Sequence, residues 1–137
     1  MRKITKTLVA IFLIAVLSLT SITAFASDEG VSPYLSHANN ANFSFVATAN
    51  GGYIDVTYLG YDSFVQADLT VKVEKRYLLF FWTEVASWSA FSTEVEGIFS
   101  HVFTLDGSGT YRANFTLKIK GNDGTVDTIP SQLECSY

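Results

Sequence analysis

The chain has 137 residues, one cysteine, two histidines and a formal net charge of −4. The acidic balance repels phosphate backbones and speaks against a nucleic-acid ligand. One cysteine excludes an intrachain disulfide, and a zinc site would need more His and Cys than the chain holds.

Residues 1–26 read as a signal peptide. Arg2, Lys3 and Lys6 precede an apolar run over residues 8–17, and Ala24-Phe25-Ala26 offers an A-x-A cleavage site before Ser27. The run is too short for the ~20 residues of a spanning helix. Cleavage after Ala26 is expected to release a secreted protein of residues 27–137. It removes three of the nine Lys and Arg and none of the thirteen Asp and Glu, which leaves a net charge of −7.

Residues 27–41 read as a polar leader, with Ser32-Pro33 and Asn39-Asn40 as loop signals. From residue 42 onward a period of two dominates, which predicts strands. Phe43, Phe45 and Ala47 alternate with polar residues, and Asn50-Gly51-Gly52 turns the chain into Ile54, Val56 and Tyr58. The next strand is predicted to bury Val65, Ala67, Leu69, Val71 and Val73 and to wet Gln66, Asp68, Thr70, Lys72 and Glu74. Residues 81–90 form a fourth strand, with Phe81 and Val85 expected on one face and Trp82, Ala86 and Trp88 on the other. A loop over 92–97 leads to a fifth strand over 98–105, whose inward set is expected to be Phe99, Phe103 and Leu105 rather than Ile98 and Val102. After the turn Asp106-Gly107-Ser108-Gly109, the residues Tyr111, Ala113, Phe115, Leu117 and Ile119 face inward. Gly121-Asn122-Asp123-Gly124 turns the chain into a last strand with Ile129, Leu133 and Cys135 inward, and Pro130, which cannot donate to a ladder, implies an edge strand or a bulge there.

About seven short antiparallel strands with regular turn signals and no helical period predict a single all-β sandwich over residues 42–137. The segment Gly109-Thr110-Tyr111-Arg112-Ala113 resembles the sixth strand of immunoglobulin-like domains, in which a Tyr bonds back across a corner. That resemblance implies an Ig-like sandwich with Tyr111 as its structural corner. More widely, "VKVEKRYLLFFWTEV", "GTYRANFTLKIKG" and a terminal "LECSY" are similar to short exported proteins of clostridia and related Firmicutes, a family of unknown function. The likeness implies a Gram-positive source and an extracellular destination, and no activity.

Catalysis needs convergent titratable groups, and the chain is poor in them. His37 reads as a solvated leader residue, and His101 as a core-margin or surface residue in mid-strand. Gly107-Ser108-Gly109 lacks the spacing of a nucleophile elbow. Glu94 and Glu96 could pair for glycoside hydrolysis, but acidic surface residues are the simpler reading. Asp106 and Asn122-Asp123-Gly124 lack calcium-loop spacing and read as turns. Cys135 reads as a small apolar residue near a strand end, with pairing between chains as the alternative. No enzyme, cofactor or metal is expected.

One segment is anomalous. Tyr77-Leu78-Leu79-Phe80-Phe81-Trp82 follows Lys75-Arg76 where a hairpin should turn, and hairpin turns favour Gly, Asn or Asp. Either the strands continue and the segment joins the core, or it contacts something outside. Strand alternation would turn one set inward and leave the other out, with Phe80 and Trp82 expected outside and Tyr77, Leu78, Phe80 and Trp82 as binding residues. The expected function is a non-catalytic module binding an extracellular protein or glycan, with self-association left open. The alternative is a membrane-active, toxin-like protein that inserts this segment, a reading the net −7 disfavours.

Overall fold

The computed structural model describes residues 26–29 and 35–137. The expected signal peptide lies outside the described residues except for Ala26, as do residues 30–34 of the leader. Eight strands follow in order: β1 (Ala26–Glu29), β2 (Ala38–Thr48), β3 (Gly51–Gly60), β4 (Phe64–Tyr77), β5 (Phe81–Ser92), β6 (Glu96–Phe103), β7 (Thr110–Gly121) and β8 (Val126–Ser136). They form two four-stranded sheets with orders β1-β2-β3-β6 and β5-β4-β7-β8, and every neighbouring pair is antiparallel. The protein is an all-β sandwich.

The alternating residues explain why the sheets face each other. Phe43, Phe45, Ile54, Val56 and Tyr58 from one sheet meet Leu69, Val71, Val73, Tyr111, Phe115, Leu117 and Ile119 from the other, and all are buried. Phe43 and Phe115 touch across the interface with ring centroids 5.2 Å apart. Phe99, Phe103 and Leu105 pack against this core while Ile98 and Val102 face solvent, as the periodicity predicts. Ile129, Leu133 and Cys135 are buried on β8, an edge strand that accommodates Pro130.

Three expectations are corrected. Strand structure begins before residue 42: β1 and the start of β2 lie in the supposed polar leader, and Ala38 and Ala41 are buried. On β4, a register shift between Phe64 and Gln66 turns Val65 out to solvent. On β5, the pairing steps from Val73↔Ala86 to Glu74↔Glu84, which leaves Val85 as an extra residue. An extra residue exchanges the faces of everything beyond it. Trp88 and Ala86 therefore pack toward the core, whereas Trp82 lies on the outer surface of the β5-β4-β7-β8 sheet.

Candidate functional site

Strands β4 and β5 run to the end of the sandwich and pair as far as Tyr77↔Phe81, so Leu78, Leu79 and Phe80 form a three-residue turn. Leu78 adopts φ 54°, and among the described residues it is the one non-glycine position with positive φ. A leucine here meets a steric penalty that glycine would avoid. Its side chain gains nothing inside the fold, because it is exposed. Tyr77, Leu78, Leu79, Phe80 and Phe81 are 63–82% exposed, a contiguous apolar tip.

Neither the core picture of this segment nor the alternating one holds. It does not join the core, and no alternate set turns inward, because residues 78–80 are a turn and not strand. Trp82 lies on the outer face, as expected, but is half-buried beneath two guanidinium groups: Arg112 at 4.1 Å from the ring centroid and Arg76 at 5.7 Å. Tyr77, Leu78 and Phe80 lie together at the tip, joined by Leu79 and Phe81.

A polar lattice anchors the base of the hairpin. Glu74, on the outer face of β4, is covered by its neighbours, whereas alternation predicts a wet residue. Arg112 Nε donates to its carboxylate, Asn114 Nδ2 donates at 3.1 Å, and Lys72 Nζ lies 3.1 Å away. The Arg112 hydrogen bond, aided by Lys72 and Asn114, outweighs desolvation and holds the Glu74 carboxyl below the usual range. Lys75 Nζ donates to the Asp106 carbonyl, and Arg76 Nη2 donates to Thr110 Oγ1 at 3.0 Å. The hairpin is thus tied to the loop and strand beside it while its tip stands clear. Arg112 is accordingly a structural residue, and its position in the strand alternation alone would make it a solvent-facing one.

Tyr111 makes a corner bond: its hydroxyl donates to the Gly107 carbonyl at 2.5 Å. Burial pushes this phenol up to about 12.

A second polar cluster sits at the opposite end of the sandwich. His37, expected to be solvated, is buried. Its Nδ1 lies 2.7 Å from Ser63 Oγ, and its Nε2 lies 2.6 Å from Thr125 Oγ1 and 3.3 Å from Asp123 Oδ1. The amides of His37 and Ala38 donate to Asp127 Oδ2 at 2.5 and 3.0 Å. Burial raises the Asp127 carboxyl, but the amides of His37, Ser36 and Ala38 together bring it below its ordinary value. The imidazole rests on Gly121, where a Cβ would come within 2.1 Å of the ring. The cluster binds the entry to β2 onto the β7–β8 turn, a structural role. Its partners are distant in sequence and none forms a motif.

The remaining candidates are dispersed. His101 is exposed and its ring lies 4.1 Å from that of Trp88, at the open edge between β5 and β6. Glu94 and Glu96 are both exposed, and Glu94 contributes its carbonyl to the Tyr58 hydroxyl at 2.8 Å. A shallow depression of about 430 Å3 lies among Asn40, Asn42, Thr57, Leu59, Glu96 and Ile98 on the face of the other sheet. Among the described residues, no group of three or more His, Cys, Asp and Glu comes together in a way that could hold a metal ion. No protein-family model matches the chain, and no curated protein matches it.

Proposed function

We propose that the protein is an exported, non-catalytic β-sandwich that acts by binding outside the cell, with the β4–β5 hairpin as its contact element. The observation that carries this reading is the run of five consecutive exposed apolar residues at the hairpin tip. Covering one Leu or Phe side chain is worth about 1.5–3 kcal/mol, so five fully covered amount to roughly 8–15 kcal/mol gross. Association costs several kcal/mol or more, which leaves enough for a weak to moderate contact. The tip favours an apolar partner over a glycan, because the Tyr77 hydroxyl is the one polar side-chain group among its five residues.

Export rests on the signal sequence and on the resemblance to exported clostridial proteins. Cleavage after Ala26 would leave Ser27, Asp28 and Glu29 to pair with β2. Two observations favour an Ig-like sandwich. If β2 to β8 are lettered A, B, C, C′, E, F and G, the sheets read A-B-E and G-F-C-C′. Tyr111 also bonds to the backbone upstream of strand F. The chain departs from antibody domains in having no inter-sheet disulfide, and its Trp88 lies on β5 and not on β4, the C position.

The test is the double variant Leu79→Ser/Phe80→Ser, compared with wild type on immobilised phospholipid, secreted protein and polysaccharide. The variant's Tm is expected to stay within about 2 °C of wild type, since both side chains are exposed. Wild type should be retained by at least one surface, and the variant should lose that retention. Unfolding of the variant, equal retention, or no retention of wild type would each overturn the reading.

A further inference from the structure

We infer that the hairpin tip is an anchor for the interfacial layer of a lipid bilayer, an inference that rests on the contact reading above. The side chains are ordered by height as the layers of a membrane leaflet are. Leu78, Leu79 and Phe80 form the apex, Tyr77 and Phe81 form the next row, and Arg76 pairs with Trp82 in the row below. Hydrocarbon-seeking residues at the depth limit, a tyrosine in the row behind them and, behind that, a tryptophan with a cation form an arrangement that an interface rewards. One strand row and a turn rise roughly 7 Å above the Arg76–Trp82 row at ~3.3 Å per residue. Apolar faces of interfacial segments sink about 5–10 Å.

Exposure around the whole tip favours a fluid partner. Every side chain from 77 to 81 is at least 63% exposed, so the apex is apolar on all sides. A protein groove would cover some of these sides, whereas an acyl layer closes around them. Turn amides without partners can still reach water and headgroups at interfacial depth, which the hydrocarbon centre would forbid.

The acidity of the domain is compatible with this, because charge is absent where contact occurs. No charged residue lies between Arg76 and Glu84. The nearest cations are engaged within the protein, Arg76 with Thr110 and the Trp82 ring, Lys75 with the Asp106 carbonyl and Arg112 with Glu74. Insertion therefore draws on apolar area and not on attraction to anionic lipid, and neutral lipid suffices. A second copy of the chain is a poorer occupant, since two domains of net −7 repel each other.

The experiment uses residues 27–137 and neutral phosphatidylcholine vesicles. Wild type is expected to co-sediment with them, and Leu79→Ser/Phe80→Ser is expected to lose at least about tenfold in affinity with Tm unchanged. An environment-sensitive dye on Leu79→Cys should brighten with vesicles, while the same dye on Val102→Cys, exposed on the other sheet, should not. Failure of wild type to bind vesicles, with the Ser variant still abolishing capture by secreted protein, would overturn the membrane assignment and leave the contact role standing. Equal behaviour of wild type and the Ser variant on every surface would overturn both.

Discussion

Arg112 and Tyr111 are neighbours on β7 whose importance is the reverse of what strand alternation implies. Tyr111 points into the core, yet its hydroxyl bonds to Gly107, an exposed residue whose carbonyl can turn to water if the phenol is lost. Tyr111→Phe should therefore cost only about 1 kcal/mol. Arg112 sits on the outer face, but it holds a covered carboxylate and caps Trp82. Arg112→Ala leaves Glu74 to Lys72 and Asn114 and uncovers the indole, so it should cost about 1.5–3 kcal/mol. Urea midpoints of the two variants check the order, and a larger loss for Tyr111→Phe would refute it. The pair also sets a pH dependence. The folded Glu74 carboxyl lies below its ordinary 4.5, so the stability it contributes is whole above that value and fades as pH falls through the folded one. Arg112→Ala should flatten the fall in Tm below about pH 4.5 relative to wild type.

The order of β2 to β8 was legible in the sequence because burial imposes a period of two on each strand; what escaped were β1, in the supposed leader, and places where one residue breaks that period. Val85 is such a place. Its insertion puts Trp82 and Trp88 on opposite faces, and no turn residue marks it. The β4–β5 turn is another, since Leu78-Leu79-Phe80 carries none of the residues that signal a hairpin. The segment was recognised as anomalous from composition, but its geometry needed the paired strands that force the turn there. His37 was missed because its partners Ser63, Thr125 and Asp127 lie 26, 88 and 90 residues away. The turn itself is open to a direct measurement. Leu78 holds φ 54° with its side chain exposed, so Leu78→Gly removes a steric penalty of about 1 kcal/mol and loses no packing. The added backbone freedom of glycine in the unfolded chain offsets part of this gain. Tm should hold or rise slightly while binding weakens. A fall of more than a few degrees would show that the leucine supports the fold after all.

For the whole molecule, the fate of the single cysteine reports how the two sheets hold together. Cys135 is buried on β8, opposite Tyr111 in register. Burial pushes that thiol up to about 11, so at neutral pH the nucleophilic thiolate is scarce as well as inaccessible. Pairing between two chains would need both sandwiches to open, because the sulfur cannot reach the surface while β2 covers β8. The native protein should accordingly show no disulfide-linked dimer and should react with a maleimide or an aromatic disulfide far more slowly than the urea-unfolded chain. Its residual reactivity should follow the global unfolding free energy as denaturant rises, since exposure of Cys135 requires separation of the sheets. Arg112→Ala, which lowers that free energy, should then speed labelling in proportion, whereas Leu79→Ser/Phe80→Ser should leave it unchanged. Fast labelling of the folded wild type would show that the β2–β8 side of the sandwich opens locally, without loss of the remaining core.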